Sequence, residues 1–308
     1  MRILVLIVTL LIATPLGAAE LRLATWNIAW LTLRPADDPL LPEGLTRRRP
    51  EDYRLLAAYA RRLEAGALHG GDQGRDRLEA DVVALQEVDG PEAAARVFDP
   101  REWVFFFADD NAVQRTGFAV RRGLRAWQNP DLAELDTRPH ARLSLRRGTD
   151  ITVEAGGVRL RLLSIHLKAG CRDGRLSRPT PDCETLAEQT EILAGWVAAR
   201  RREGIPFAIM GDFNRRMRGP RDDMLDRLTA EAPLLRTSEG ASDPCWAGAR
   251  GTRPFIDHIL LGGGAEQWWV RSSLRVLVYA ERDRSYRDRL SDHCPISIRL
   301  RLPASRAG

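Results

Sequence analysis

Short apolar runs that stop abruptly at a polar residue dominate this chain, and they restrict its fold more than any other feature. Leu21–Ile28, Asp81–Glu87, Trp103–Phe107, Gly117–Val120, Ile151–Ala155, Val158–Leu167, Pro206–Met210, Phe255–Leu261 and Ile296–Leu302 all have strand length rather than helix length. The pair Gly156-Gly157 between two of them is a strong hairpin signal. Two stretches show helical spacing. Tyr53, Leu56, Tyr59, Ala60 and Leu63 form one stripe, and Leu186, Gln189, Leu193, Trp196 and Val197 form another that ends near Gly204. Strands outnumber helices and several are joined as hairpins. That pattern favours packed, largely antiparallel sheets flanked by helices over a parallel doubly wound fold.

The N-terminus carries Arg2, an apolar run from Ile3 to Ala13 and small residues up to Ala19, the composition of a secretory signal peptide. We expect cleavage after Ala19, a single domain over residues 20–303 and a short tail over 304–308, in a protein that is periplasmic or secreted. The apolar run is short for a membrane span, so no stable membrane partner is expected once it is removed. A proline- and arginine-rich segment from Arg34 to Pro50 and a glycine-rich one from His69 to Asp76 read as loops. The formal net charge is +5, carried almost wholly by arginine, with Lys168 the only lysine. Arginine suits bidentate phosphate contacts, and a basic chain leans toward an anionic partner. The four cysteines lack zinc-ligand spacing. In an exported chain Cys171 and Cys183 read as a local disulfide, and Cys245 with Cys294 as a further candidate pair.

The polar residues at the strand ends carry the chemistry. Asn27, Glu87, His166, Asp212 with Asn214, Asp257 and Asp292-His293 each close an apolar run or follow one closely. In Gly211-Asp212-Phe213-Asn214, extended backbone puts Asp212 and Asn214 on one side. That pairs an oxygen ligand for a hard cation with an amide able to donate to a phosphate oxygen. Taken singly each residue has a plain alternative: an Asx turn, a surface charge or a hydrogen-bonded core histidine. Together they describe one rim built from several strand ends. His258, next to Asp257 on a strand, points the other way and reads as structural. His69 and His140 lie outside every motif.

In their order, Thr25-Trp26-Asn27-Ile28, Gln86-Glu87-Val88, Ser164-Ile165-His166-Leu167, Gly211-Asp212-Phe213-Asn214, Ile256-Asp257-His258-Ile259 and Ser291-Asp292-His293 resemble the motifs of the endonuclease/exonuclease/phosphatase family. This family of metal-dependent phosphohydrolases includes DNase I. The resemblance implies a four-layered α/β/β/α sandwich with two mixed sheets face to face. It implies Glu87, Asn27 and Asp292 around a divalent metal, Mg²⁺ foremost with Mn²⁺ or Ca²⁺ as alternatives. It implies Asp212 as the group that orients or deprotonates water and Asn214 as a phosphate holder. His293 would be paired to Asp257, His166 would stabilise the phosphate or protonate the leaving oxygen, and Arg115 would clamp phosphate. The implied reaction is in-line attack of water on a phosphoester.

Ala29 stands where abasic-site endonucleases usually carry an acid, and residues 31–80 are long for the family, with Arg47, Arg48 and Arg49 available either for phosphate contacts or for a solvated loop. An exported, monomeric DNase-like nuclease acting on DNA is the preferred expectation. A phospholipase C- or sphingomyelinase-like enzyme is the alternative, with Trp268-Trp269 as the one candidate membrane element, although burial in a strand accounts for that pair more economically. A noncatalytic binding protein on the same fold is the remaining reading.

Overall fold

A computed structural model describes residues 19–65, 80–110, 112–141, 144–217, 222–248 and 251–303. The expected signal segment up to residue 18, the loop His69–Asp76 and the tail 304–308 lie outside the described residues. In chain order the elements of the first half are β1 (Glu20–Leu31), α1 (Pro50–Ala65), β2 (Val82–Val88), α2 (Pro91–Ala94), β3 (Trp103–Phe107), β4 (Arg115–Arg121), β5 (Arg125–Gln128), β6 (Thr149–Ala155) and β7 (Val158–His166). Then come α3 (Pro181–Glu203), β8 (Phe207–Asp212), α4 (Asp223–Glu231), β9 (Leu234–Arg236), β10 (Asp243–Gly248), β11 (Gly251–Arg253), β12 (Asp257–Gly262), β13 (Arg275–Val276), α5 (Ser285–Arg289) and β14 (Ile296–Arg301).

Two six-stranded sheets result, in the orders β13-β14-β1-β2-β4-β3 and β5-β6-β7-β8-β12-β9. Within them only β1/β2 and β7/β8 are parallel. Strand alternation decides the layers. Leu21, Leu23, Val82 and Ala84 from one sheet meet Leu160, Leu162, Ala208, Met210, Ile259 and Leu261 from the other. The intervening residues face outward. Ala24, Trp26, Val83 and Leu85 pack against Leu56, Tyr59 and Leu63 of α1. Leu163, Ile165, Ile209 and Leu260 pack against Leu186, Leu193, Trp196 and Val197 of α3 and Met224 and Leu228 of α4. This is the four-layered sandwich with mixed sheets that the motifs implied.

The helices start where local chemistry allows. Pro50 opens α1, and the Asp52 carboxylate accepts the Arg49 N–H at 2.8 Å. Thr180 caps α3 ahead of Pro181, and Gly204 ends it in the left-handed conformation. The hairpin β6–β7 turns through Gly156 and Gly157, both at positive φ. Disulfides join Cys171 to Cys183 and Cys245 to Cys294. Some elements carried no sequence signal. β5, β9, β11 and β13 are too short to show a period, and the hairpin β10–β11 is interrupted by irregular pairing. Trp268 and Trp269 sit at a 3₁₀ turn rather than in a strand, half-buried against the inter-sheet core. No helix of the described residues is long and apolar enough to cross a membrane.

Candidate active site

Register brings the strand ends together. His166 pairs with Asp212, and Asp212 pairs with Asp257, so β7, β8 and β12 contribute adjacent positions along one rim. Alternation explains their facing. His166, Asp212 and Asp257 follow Leu160, Leu162, Ala208, Met210, Ile259 and Leu261 in parity and so point between the sheets. Asn27 does the same from β1, after Leu21 and Leu23. Glu87 has the opposite parity, because Val83 and Leu85 face α1. Its φ of 58° breaks the alternation, opposite a bulge in which Ala29 (φ 40°) and Trp30 (φ 55°) are also left-handed. Left-handed backbone at three non-glycine residues is strain held by surrounding contacts, and here it turns a carboxylate into the cleft.

Arg48 braces the Ala29–Trp30 part of this kink. Its guanidinium donates to the carbonyls of Ile28, Ala29 and Trp30 at 2.7, 2.7 and 3.0 Å. It also donates to the carbonyls of Arg289 and Leu290 at 2.9 and 2.7 Å, just before Asp292-His293. Arg48 is therefore occupied inside the protein. Arg49 pairs with exposed Glu51, and Arg47 donates to the Arg34 carbonyl.

At the rim the polar groups hold one another. Asn27 accepts the Ala29 N–H and donates through Nδ2 to Glu87 Oε1 (3.1 Å) and Asp212 Oδ2 (3.2 Å). Glu87 Oε2 accepts the Trp30 N–H at 3.1 Å. His166 Nε2 lies 3.5 Å from Glu87 Oε1 and 3.7 Å from Asp212 Oδ2. Asn214 is left-handed at φ 51°; its N–H reaches Asp212 Oδ1 at 2.7 Å and its amide donates to the Leu167 carbonyl. The Asx turn and the site are thus the same structure. His293 Nδ1 donates to Asp257 Oδ2 at 2.7 Å, leaving Nε2 3.8 Å from both Asp212 Oδ2 and Asp292 Oδ1. Asp292 is half-exposed and also meets Arg287 at 3.2 Å. Behind the rim, Thr25 donates to Gln86 and Gln86 to Ser164, a bridge that ties the two sheets together.

The charges follow from burial. Desolvation, reinforced by Arg146 and His293, holds His166 well below the ordinary histidine range, so it is neutral. Burial also pulls His293 down, but Asp257 and Asp212 outweigh it and hold the ring as imidazolium. Asp212 is pushed up to about 7 by burial, with Asp257 and Glu87 adding to the rise and His293 opposing it. His258 faces away from the site, between Ser238 Oγ and the Arg215 carbonyl, and burial lowers it to about 4.

A cavity of about 560 Å³ opens over this rim, lined among others by Trp30, Glu87, His166, Asp212, Asn214, Asp292 and His293. Arg115 does not line it. Its Nε donates to the Ala112 carbonyl, and its side chain faces a separate depression beside Arg34, Asp89 and Glu92. The cavity instead receives Arg146, Lys168 and Arg172, to which the sequence had given no role. Arg146 is the most deeply placed: Nη2 donates to the Leu167 carbonyl, while Nε is buried without a partner. Its only sequence signal is a position just ahead of a strand, shared by many arginines here. Lys168, two residues past His166 and alone of its kind, was the more visible candidate.

Two carboxylate oxygens, from Glu87 and Asp212, lean on the same Asn27 amide and the same His166 nitrogen. Asp257 Oδ1 is buried with no partner. Oxygen donors crowded in this way fit a hard divalent cation. Asp212, Asp257 and His293 also place ligand atoms within 4.8 Å of one another. His293, however, is committed to Asp257 and favoured as a cation, which leaves the Glu87–Asn27 side as the better-suited ligand set.

A mixed-sheet sandwich with a carboxylate-, amide- and imidazole-lined cleft at its rim defines the class, and the chain belongs to the Endonuclease/Exonuclease/phosphatase family, whose profile matches residues 24–293. Members of this family are divalent-metal-dependent phosphoester hydrolases. Its fold is similar to that of TDP2 from Caenorhabditis elegans, at 16% identity and TM-score 0.59 over 93% of this chain and 76% of that one. It is also similar to the AP endonuclease LMAP from Leishmania major, at 16% identity and TM-score 0.56 over 92% and 88%. An endonuclease/exonuclease/phosphatase from Beutenbergia cavernae aligns at 19% identity and TM-score 0.52 over 94% and 73%. No curated protein matches the chain by sequence.

Proposed function

We propose that this chain is an exported phosphodiesterase that hydrolyses DNA by in-line attack of an activated water. The observation that carries this is the convergence of Glu87, His166, Asp212, Asn214 and the Asp257–His293 pair on one cleft beside Arg146. Glu87 and Asn27, with Asp292 across the cavity, would hold Mg²⁺, or Mn²⁺ or Ca²⁺ in its place, and such a cation supplies Lewis-acid charge at a phosphoryl oxygen. Asp212 orients the attacking water and receives its proton. Asn214, whose amide spans the Leu167 carbonyl and Asp212 Oδ2, would exchange the Asp212 contact for a non-bridging oxygen. His293, held by Asp257 as an imidazolium, offsets the charge that grows on the phosphoryl group and supplies the proton to the leaving oxygen, while neutral His166 donates a hydrogen bond to that charge. Arg146 serves the phosphate-holding role from inside the cleft, where Arg115 does not reach.

DNA is favoured over a lipid substrate on three grounds. The cleft is flanked by cations, and Trp268 and Trp269 pack into the core rather than projecting toward a membrane. A D. rerio TDP2 of the same fold was crystallised with single strand DNA product. Two disulfides and the leader-like N-terminus support export. The test is plasmid nicking by the purified protein with Mg²⁺. Chelator should abolish nicking, and Asp212→Ala should lower it about 100- to 10,000-fold, the range for loss of a general base. No nicking, together with turnover of a phosphocholine lipid, would transfer the site to the lipid reading. Failure on every phosphoester would leave the binding-protein reading.

A further inference from the structure

A second cavity, of about 500 Å³, lies beside the cleft and takes no part in the chemistry above. Trp246, Tyr279, Arg253, Arg282, Arg284 and Arg287 line it. Trp246 sits in the irregular hairpin β10–β11 at φ 50° and stacks on Tyr279, with ring centroids 5.3 Å apart and planes at 28°. Its indole N–H is spent on the Ser291 carbonyl at 2.8 Å, so the ring offers the cavity an apolar surface. Two arginines connect the cavity to the cleft through Asp292: Arg253 donates to its carbonyl and Arg287 to its Oδ2, both at 3.2 Å. Arg282 and Arg284 make no side-chain hydrogen bond or ion pair among the described residues. Two acids, Glu281 and Asp288, also line the cavity; Arg253 is paired with Asp243 at 3.1 Å and Arg287 with Asp292, so Arg282 and Arg284 are the cations it holds without a carboxylate partner among the described residues.

Cations beside an aromatic platform are what a nucleic acid strand requires: phosphates bind the guanidinium groups, and a base stacks on the ring. A membrane surface would need exposed apolar side chains, and Leu33 is the one large hydrophobic exposed among the described residues, away from this cavity. We infer that this cavity is a binding subsite for the flanking single-stranded segment of a nucleic acid whose scissile phosphate occupies the cleft, with Arg282, Arg284 and Arg287 on its phosphates and a base against Trp246. The inference rests on the nuclease reading above and extends it. It makes an extended strand, rather than a phosphomonoester or a mononucleotide, the preferred substrate.

The test is fluorescence anisotropy of a labelled dodecathymidylate in chelator, which separates binding from cleavage, between 50 and 200 mM salt. Arg282→Gln/Arg284→Gln, both at exposed positions, should weaken binding about tenfold. It should also lower the slope of log K against log salt by about 1.4, the value for two contacts to a single strand. Trp246→Ala should weaken binding about tenfold with little change in slope, because stacking releases no counterions. With metal present, the arginine variant should also lose about tenfold in selectivity for the oligonucleotide over a minimal aryl phosphodiester. Affinity and slope unchanged in the arginine variant, in a protein that still cleaves phosphodiesters, would overturn the subsite alone. Variant-sensitive binding by a protein that hydrolyses no phosphodiester would keep the subsite and remove the nuclease reading. Binding to phosphatidylserine vesicles but not to the oligonucleotide, lost in the arginine variant, would overturn the subsite in favour of a lipid surface.

Discussion

Arg48→Met isolates the contribution of one buried guanidinium to the geometry of the rim. The side chain makes five contacts to backbone carbonyls, three of them from Nη2, which has two hydrogens, so about four independent hydrogen bonds are lost. Hydrogen bonds from a charged donor contribute about 1.5–3 kcal/mol each, a gross loss of about 6–12 kcal/mol. Two effects offset much of it. The guanidinium is desolvated, which lowers its pKa, and methionine removes that cost. Water can also reach some of the part-buried carbonyls. A net loss of about 3 kcal/mol remains, within the upper range for point substitutions. For a domain of this size that lowers Tm by about 6–12 °C, measured by calorimetry in chelator so that metal plays no part. Because the freed segments carry Asn27 on one side and Asp292-His293 on the other, kcat should fall more than KM rises. Arg48→Lys, with three donors on one nitrogen, should recover part of the stability. A Tm drop below about 2 °C would refute the claim that Arg48 holds the left-handed Ala29–Trp30 turn in place.

Two further outcomes test other parts of the same reasoning. Gly211 has φ 141°, and a Cβ there would lie 2.1 Å from the Ile165 carbonyl oxygen on β7. Gly211→Ala should therefore cost about 4 kcal/mol or more, seen as a collapse of the denaturation midpoint; a cost under about 1 kcal/mol would show that β7 and β8 separate easily. His258 stays neutral down to about pH 4 in the folded state, whereas an ordinary histidine gains its proton near 6.5. The unfolded chain takes up the proton first, so stability from this residue is present above about pH 6.5 and is lost toward pH 4, by up to about 3 kcal/mol. Stability curves for wild type and His258→Gln should diverge in that window; parallel curves would refute the assignment.

Much of the site could be read from alternation. Asn27, His166, Asp212 and Asp257 share parity with the apolar residues of their strands that fill the space between the sheets, so a period of two already pointed them the same way. His258 was separable from Asp257 on the same ground. Glu87 was not legible by this rule, since its parity sends it toward α1. The order of motifs found it, and only the left-handed kink explains how it reaches the cleft. Arg146 was hidden by abundance, one of many arginines with no local mark. Arg48 was read as available for phosphate or solvent, and it is instead a buried brace, because a guanidinium presents five donors to whatever carbonyls surround it.

By itself the sequence determined the layers. Strand-length apolar runs with a period of two leave each sheet an inner and an outer face, and two amphipathic helices cover the outer ones. It also determined the chemical kind of the rim, since carboxylates, amides and imidazoles at strand ends cannot be buried without one another or a cation. Tertiary structure alone decided which of them meet. Register set His166, Asp212 and Asp257 side by side, and an intersheet bridge through Gln86 tied β2 to β7. Contacts from Asn27 and Trp30, far along the chain, hold Glu87 inward. Those outcomes depend on distances between segments that the chain joins only by folding, and no local pattern encodes them.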